Sequence, residues 1–212
     1  MKKNVQKLPS STGRRQEYAE QTRQAVIEAA RKLFSTKGYA QTKVDDIAAL
    51  ARVSPMTIYS GMGGKTGLLR ILMDLWSTTP GNDIALEDIK AQSDPNVVIE
   101  KVALTVRQMR ERFADIAYFM HDAAPNDPEV SANLAIATER YRAWCSDVIK
   151  HLHKLRALRR GLSIQDGTDI LWFFFGYWGY YTLHNENGWT YERAQSWLTD
   201  TARHALLRNP NG

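Results

Sequence analysis

An all-α fold is predicted by three features of the 212-residue sequence. Apolar residues recur at helical spacing along most of the chain, and no segment alternates apolar and polar residues over the length of a strand. The seven prolines lie at the ends of the periodic segments or between them. Three of these prolines follow a helix-capping residue, in the pairs Ser54-Pro55, Asp94-Pro95 and Asp127-Pro128. We therefore expect a bundle of helices with essentially no sheet.

The first third of the chain predicts one long helix followed by three short ones. The long helix is expected over residues 18–36, and Gly38 follows it as a candidate left-handed cap. Its apolar stripe consists of Val26, Ala29, Ala30, Leu33 and Phe34. The short helices are expected over residues 43–51, 55–60 and 65–76. Thr42 and Asp45 have the spacing of a capping box, and Leu68, Leu69, Leu72 and Leu75 are expected to point inward.

Longer helices are predicted in the rest of the chain. They are expected over residues 95–123, 128–155, 163–187 and 191–207, and a break near Phe113 is left open. Ser163 and Asp166 form a second candidate capping box, and Thr190 is a candidate cap for the last helix. A polar stretch over residues 77–93 precedes these helices, with residues 84–91 as a candidate helical segment within it.

The charge of the chain is concentrated in its first third. The net charge is +5, but residues 1–76 carry 13 Lys and Arg against 6 Asp and Glu, whereas the remainder carries 15 against 17. A basic excess confined to one region is typical of a nucleic-acid partner, although a merely solvated basic face remains an alternative. The longest apolar run, residues 170–183, is too short to span a bilayer, and the basic N-terminus lacks the apolar core of a signal peptide. We expect a cytoplasmic protein with no membrane partner.

The two short helices at residues 43–51 and 55–60 are joined by a short turn, which is the arrangement of a helix-turn-helix. The surrounding residues read Ala29-Ala30-x-x-Leu33-Phe34-x-x-x-Gly38-Tyr39, Thr42-x-Val44-x-x-Ile47-Ala48, Val53-Ser54-x-x-Thr57-Ile58-Tyr59 and Lys65-x-x-Leu68-Leu69. This pattern resembles the DNA-binding domain of the tetracycline-repressor (TetR) family of bacterial regulators. Arg52 stands where the family usually has a turn glycine, so either Arg52 takes a left-handed backbone conformation or the turn differs slightly from the family's.

The resemblance implies a ligand-responsive transcriptional regulator, a repressor that binds palindromic double-stranded operator DNA as a homodimer and is released by a small hydrophobic effector. The implied domains are a basic disordered arm over residues 1–16, a helix-turn-helix domain over 17–77 and a helical ligand-binding and dimerisation domain over 78–212. An architectural helical DNA-binding protein that responds to no effector is the alternative.

The side chains that usually read guanine and adenine are absent from the second short helix, because residues 54–64 contain no Arg, Lys, Asn or Gln. Small hydroxyls and apolar groups remain for base contact, and Tyr59 and Lys65 are assigned to phosphates. Two arginines of the basic arm are candidates for the minor groove, with a solvated arm as the alternative. The full set is Arg14, Arg15, Thr42, Lys43, Ser54, Pro55, Met56, Thr57, Tyr59, Ser60, Gly61 and Lys65.

Two further surfaces are predicted in the helical remainder. Aromatic and methionine side chains form a candidate ligand wall, although an ordinary core has the same composition. The wall consists of Met109, Phe113, Met120, His121, Trp144, Phe174, Tyr177, Trp178 and Tyr181. Small residues at helical spacing form a candidate dimer interface, consisting of Trp172, Gly176, Gly179 and Leu183 with Ala194, Leu198, Ala202 and Ala205.

No enzymatic motif emerges from the chain. The five histidines are scattered, and the sequence has no G-x-S-x-G, no H-E-x-x-H and no glycine-rich turn after a strand. The single cysteine, Cys145, excludes an intramolecular disulfide framework. We expect no catalytic residues, no cofactor and no metal.

Overall fold

The computed structural model describes residues 11–78 and 80–208, and the chain divides into two compact units between Leu72 and Met73. No strand forms within the described ranges, where a single isolated bridge pairs Leu158 with Leu207. The predicted all-α fold is confirmed. The helices are α1 (Ser11–Lys37), α2 (Val44–Ala51), α3 (Pro55–Met62), α4 (Gly64–Ser77), α5 (Pro80–Lys90), α6 (Pro95–Ala123), α7 (Pro128–Lys154), α8 (Ile164–Phe175), α9 (Tyr177–Tyr180) and α10 (Tyr191–Leu206).

The first unit contains α1, α2, α3 and most of α4 around an apolar core. Its side chains without solvent exposure are Val26, Ala30, Phe34, Ile47, Ile58, Leu68, Leu69 and Leu72. Helix α1 begins at Ser11, so residues 11–16 are helical and the predicted disordered arm is wrong for them. The reason is that Arg14, Arg15 and Gln16 are good helix formers, and neither proline nor a capping residue separates them from the predicted helix. Residues 1–10 of that arm lie outside the described residues.

The turn between α2 and α3 has a left-handed residue at Arg52, the first of the two alternatives expected there. Arg52 has φ 57° and ψ 42°, and the N–H of Val53 donates to the Ala48 carbonyl oxygen at 3.0 Å. Ser54 caps α3, because its Oγ accepts from the N–H of Thr57 at 3.2 Å. These bonds satisfy backbone groups at both helix ends and hold the turn between α2 and α3 in one conformation.

The predicted capping box at the start of α2 is one residue out of register. Lys43 is the N-cap, and the Asp46 carboxylate accepts from its backbone N–H at 3.1 Å. Asp46 also pairs with Lys37, whose Nζ lies 2.6 Å from Oδ2. Thr42 is drawn inward instead, because its hydroxyl donates to the Gly38 carbonyl oxygen at 2.8 Å.

Helix α4 is continuous through the boundary between the units. It buries Met73 and Trp76 in addition to the expected leucines, whereas Leu75 is 41% exposed and the inward orientation predicted for it is wrong. The boundary lies five residues before the predicted end of the DNA-binding domain at residue 77. The last turn of α4 therefore belongs to the second unit.

The second unit packs α5 to α10 around one core, with caps at the predicted positions. Asp94, Asp127, Ser163 and Thr190 each accept a bond from a backbone N–H in the first turn of α6, α7, α8 and α10, respectively. Helix α6 kinks at Phe113, where φ is −130° and ψ is 20°. No helix within the described ranges is long and apolar enough to cross a membrane.

The helix predicted over residues 163–187 is interrupted. Helix α8 ends at Phe175, Gly176 is extended with φ −64° and ψ 178°, and a π-helical turn, Tyr181–Glu186, follows α9. A Cβ atom on Gly176 would lie 2.5 Å from the Trp172 carbonyl oxygen, and one on Gly179 would lie 2.4 Å from the Phe174 carbonyl oxygen. The two glycines therefore permit a sharp change of direction within the subunit.

Candidate functional sites

Helix α3 presents most of the predicted base-reading residues to solvent. Met56 is 71% exposed and Tyr59 is 58% exposed, and Pro55, Ser60 and Gly61 are exposed as well. Ile58 is fully buried and anchors the opposite face of the helix. The outward face of α3 thus has the exposure that entry into a major groove requires.

Hydroxyl groups on this face are partly engaged within the helix. Ser54 Oγ lies 2.9 Å from Thr57 Oγ1, and the Ser60 hydroxyl donates to the Met56 carbonyl oxygen at 2.8 Å. Because each hydroxyl oxygen has two lone pairs, those of Thr57 and Ser60 still have acceptor capacity. The face is therefore apolar with a few small polar groups, and it carries no long donor side chain.

The two candidate phosphate-binding lysines stand at helix N-termini. Lys43 is the exposed N-cap of α2. Lys65 is the second residue of α4, where its Nζ lies 4.2 Å from the centroid of the Tyr39 ring and 3.5 Å from the Ala40 carbonyl oxygen. Helix N-termini favour anions, so both lysines add charge where the backbone already attracts phosphate.

Three predicted DNA contacts differ from the prediction in their burial or in their backbone conformation. Thr42 is only 1% exposed and its hydroxyl is bonded internally, so its assignment to DNA is wrong. Arg14 and Arg15 are exposed, but on the first turns of α1. A helix cannot extend into a minor groove as a flexible arm does, so the structure does not support the predicted reach of these two arginines.

Gly67 is a structural residue that the sequence analysis missed. A Cβ atom at this position would lie 1.7 Å from the Met62 carbonyl oxygen. The end of α3 therefore rests directly on the first turn of α4. Its signal in the sequence was a glycine inside an otherwise good helical segment.

The second unit contains a cavity of about 380 Å³. Four of the predicted ligand residues line it, namely Met109, His121, Trp144 and Tyr177. Further lining residues that the prediction did not assign to a ligand include Trp76, Arg110, Arg140, Tyr141, Asp147 and Trp172. The cavity thus reaches the last turn of α4, and its wall includes cationic as well as aromatic groups.

The other predicted wall residues do not line this cavity. Phe113 and Met120 are buried in the core, and Trp178 is 62% exposed. Phe174 packs against the core cluster, and Tyr181 stacks on Tyr177 with ring centroids 5.3 Å apart. For Trp178 and Tyr181 the reason is the break at Gly176, which changes the direction of the side chains that follow it. Phe113, Met120 and Phe174 precede the break, and they belong to or pack against the core.

The cavity wall holds a buried arginine. Arg110 is 5% exposed, and its Nη2 donates to the Phe175 carbonyl oxygen at 3.1 Å. The Tyr141 hydroxyl donates to the same oxygen at 2.9 Å. A signal for Arg110 was present in the sequence, because it follows Val98, Val102 and Val106 at intervals of four residues on the buried face of α6.

The aromatic rings around Arg110 are stacked on one another. Tyr141 stacks on Trp144 with centroids 5.8 Å apart and lies 5.4 Å from Trp172. His121 stacks on Tyr177 at 3.9 Å. Burial, assisted by the positive charge of Arg110, lowers the pKa of His121 to about 4, so this imidazole is neutral at neutral pH. The wall consists of aromatic rings, of which Tyr141 and Trp172 are inclined to each other by 57°, and it suits a ligand with an aromatic ring.

The predicted dimer interface is wrong for four of its eight residues, Gly176, Ala194, Leu198 and Ala202, because the subunit itself buries them. Ala194, Leu198 and Ala202 are at most 1% exposed, so the small-residue face of α10 is occupied by the core of its own subunit. Gly176 and Gly179 abut backbone of the same chain, and Trp172 lines the cavity. Leu183 packs against the core cluster, and Ala205 is half-buried. Small residues serve close packing within a subunit as well as between subunits, and spacing alone does not separate the two.

Comparison with known proteins agrees with the architecture of the first unit. Residues 26–71 match the family described as "Bacterial regulatory proteins, tetR family". Among curated proteins, the HTH-type transcriptional regulator TtgR of Pseudomonas putida is 33% identical over 93 residues, which are 44% of this chain and 44% of that protein. The match thus spans less than half the length of this relative.

Solved structures share the fold over most of the chain. NalD, the secondary repressor of the MexAB-OprM multidrug efflux pump in Pseudomonas aeruginosa, aligns with a TM-score of 0.74 and 19% identity over 91% of this chain and 99% of its own. A complex of SmeT with triclosan aligns with a TM-score of 0.69 and 15% identity over 89% and 93% of the two chains. At these identities the similarity establishes the fold.

Proposed function

Because this chain is a transcriptional regulator of the tetR family, identified by its DNA-binding domain, we propose that it represses genes from a palindromic operator and is released by a small ligand. The observation that carries this proposal is the joint presence in one chain of an exposed α3 face and a cavity of about 380 Å³. An architectural DNA-binding protein needs no such cavity. NalD is described as a repressor and SmeT as bound to triclosan, which agrees with both halves of the proposal.

The DNA-reading element is α3 of each subunit of a homodimer. Two such helices bind half-sites about 34–36 Å apart, one turn of the duplex, or a multiple of that. Met56, Thr57 and Ser60 contact base edges, where the Met56 side chain suits thymine methyl groups. Lys43, Tyr59 and Lys65 contact phosphates and determine the salt dependence of binding.

Subunits pair through outward apolar side chains near the C-terminal end of the chain. Phe173 on α8 is 73% exposed and Trp197 on α10 is 47% exposed. Exposed apolar side chains on neighbouring helices are typical of a surface that a partner covers. This face replaces the small-residue stripe expected from the sequence.

Ligand response requires a connection from the cavity to α4. Arg140 lines the cavity, and its Nη1 lies 2.8 Å from Asp74 Oδ1 and 2.9 Å from Ser77 Oγ, both in the last two turns of α4. Trp76 lines the cavity from the same helix. A ligand that moves these side chains shifts α4, and it releases DNA if it binds more tightly to the shifted form.

The test is a mobility shift with the DNA upstream of the protein's own gene. We expect specific binding that persists against a large excess of unrelated duplex, and protection of a near-palindrome in a footprint. Met56→Glu should abolish the shift, because it places a carboxylate against the duplex. Ile84→Glu is the matched control, since Ile84 on α5 is also 71% exposed. Binding without sequence preference would favour the architectural alternative and refute the repressor.

A further inference from the structure

The Arg110 guanidinium in the cavity wall is a buried cation without a counter-ion. Its Nη2 bonds to the Phe175 carbonyl oxygen, whereas its Nε and Nη1 have no hydrogen-bond partner within the described residues. No carboxylate of those residues forms an ion pair with it. A buried charge is normally paired, because leaving water costs an isolated ion several kcal/mol. A bound anion would therefore neutralise the buried charge of Arg110.

The ionisable groups around Arg110 cannot supply that anion at neutral pH. Burial raises the pKa of Tyr141 well above its usual value and that of Cys145 to about 12. Burial also raises the pKa of Tyr177 and Tyr180. All four groups are therefore uncharged, and the guanidinium, which stays protonated in proteins, keeps its full positive charge.

Two of the other charged groups that line the cavity have partners. Arg140 is paired with Asp74, and Asp147 lies 3.0 Å from Lys150 Nζ. Asp83 is exposed at the cavity margin. Within the described part of the chain, Arg110 is thus the cavity-lining cation that lacks a carboxylate.

A second donor without an acceptor lies on the same wall. Trp144 Nε1 is buried and has no partner among the described residues. The Tyr141 ring stands next to both donors, with its centroid 5.9 Å from Arg110 Cζ and 5.8 Å from the Trp144 ring. Unsatisfied donors beside aromatic rings suit an aromatic ligand that carries an acceptor group.

We propose that the effector is an aromatic organic acid whose carboxylate accepts hydrogen bonds from Arg110 and whose ring lies against Tyr141, Trp144 and Trp172. This inference rests on the proposed ligand-responsive function and departs from the purely hydrophobic effector that the sequence analysis expects. A carboxylate accepts a hydrogen bond from a guanidinium N–H and neutralises the buried charge. Because Nε and Nη1 donate towards opposite sides of the guanidinium, one carboxylate satisfies one of these two donors. A neutral carbonyl or a water molecule satisfies the donors but leaves the charge unpaired.

The experiment compares aromatic acids with their own primary amides, which have nearly the same shape and no charge. The panel is benzoate, phenylacetate, 2-naphthoate and indole-3-acetate, each with its amide. Binding is followed by quenching of tryptophan fluorescence, since Trp76, Trp144 and Trp172 line the cavity, and affinities are measured by calorimetry. The variants are Arg110→Met, which keeps the side-chain bulk, and Arg112→Met as the control, because Arg112 is an exposed arginine on the same helix.

We expect at least one acid to bind wild-type protein about tenfold or more tightly than its amide, the ratio typical of a hydrogen bond to a charged group. Arg110→Met should abolish that preference while amide affinity is retained, and Arg112→Met should keep it. The inference is wrong if no acid in the panel outbinds its amide, or if Arg110→Met keeps the preference. Circular dichroism establishes that each variant folds, and the wild-type ratio decides the question even if Arg110→Met does not fold.

The outcome for DNA binding is separate. A protein that prefers acids but fails to bind a specific operator would refute the repressor and leave the ligand class intact. A protein that binds its operator but shows no preference for acids would refute the ligand class and leave the repressor intact.

Discussion

Arg110 and Phe175 are joined by a hydrogen bond in which Nη2 donates to the carbonyl oxygen over 3.1 Å. That oxygen belongs to the last residue of α8, where the chain leaves the helix at Gly176. Tyr141 donates to the same oxygen, so side chains from α6 and α7 both satisfy the end of α8. The carbonyl oxygen at the end of α8 thus holds the buried cation of the cavity in place.

The salt dependence of operator binding should decrease when a phosphate-binding lysine is removed. Lys43→Ala and Lys65→Ala should each lower the slope of log affinity against log salt by about 1 per subunit and leave sequence preference unchanged. Titrations at several salt concentrations measure the slope. If Lys65→Ala leaves it unchanged, Lys65 serves α4 and Tyr39 only, and its assignment to phosphate is wrong.

Replacement of Gly67 should disrupt the junction of α3 and α4. In Gly67→Ala the new Cβ would lie 1.7 Å from the Met62 carbonyl oxygen, so α3 must move, at a cost of about 1–3 kcal/mol. We expect a lower thermal midpoint and loss of operator binding. Gly61→Ala is the control for stability, because nothing lies within 4 Å of a Cβ there and alanine favours the helix by about 1 kcal/mol. Equal midpoints for the two variants would contradict the close contact.

Dimerisation should depend on the exposed aromatic face of α8. Phe173→Glu should raise the dissociation constant of the dimer about tenfold or more, since a carboxylate would be buried without a partner. Sedimentation at a series of concentrations measures it, and Ile84→Glu serves as the control because Ile84 is similarly exposed on α5. A Phe173→Glu protein as dimeric as wild type would place the interface elsewhere.

Coupling between the cavity and α4 should weaken without Asp74. Asp74→Ala removes the carboxylate that holds Arg140, yet exposed ion pairs contribute only about 0–1 kcal/mol to stability. We therefore expect ligand and operator affinities within about threefold of wild type, with a reduced release of DNA by ligand. Asp88→Ala, which removes a similar pair with Lys101, should respond normally.

Trp76 is less suitable than Asp74 for that test. It is 8% exposed and lines the cavity, so Trp76→Ala would cost stability of about 3–5 kcal/mol and alter the ligand site as well. A normal ligand response in Asp74→Ala would show that the coupling does not depend on the ion pair between Arg140 and Asp74.

Stability should fall in mild acid because of His121. Its pKa is about 4 in the folded protein against 6.5 as the reference value, so the unfolded chain binds a proton first as pH decreases. The stabilising contribution is fully present above about pH 6.5 and is lost as pH falls towards 4. After allowance for the partial exposure of the ring, we expect a loss of about 1 kcal/mol at pH 5, or about 2–4 °C in thermal midpoint.

The control for this pH effect is His121→Phe, which keeps an aromatic ring against Tyr177 but cannot titrate. Its midpoint should fall less than that of wild type between pH 7 and pH 5. Parallel curves for the two proteins would show that His121 is solvated and titrates normally.

The sequence by itself determined the features that depend on neighbours in the chain. Ser54-Pro55, Asp127-Pro128 and Ser163 with Asp166 predicted helix starts, because a cap needs only residues two or three positions apart. The buried stripe of α1 followed from local spacing in the same way. The tetR-family pattern consists of such local signals, and it identified the DNA-binding domain.

Only the tertiary structure decided what each apolar or small residue faces. Gly176 and Ala202 have the spacing of an interface, yet they lie against their own subunit. Met120 and Met109 have the same chemistry, but one is core and the other lines the cavity. A cavity and a core differ in whether residues distant in sequence fill the space between helices, and that depends on how α6, α7 and α8 meet. The packing of these helices also decides that Arg110 lacks a counter-ion, since a carboxylate from any of them would have neutralised it.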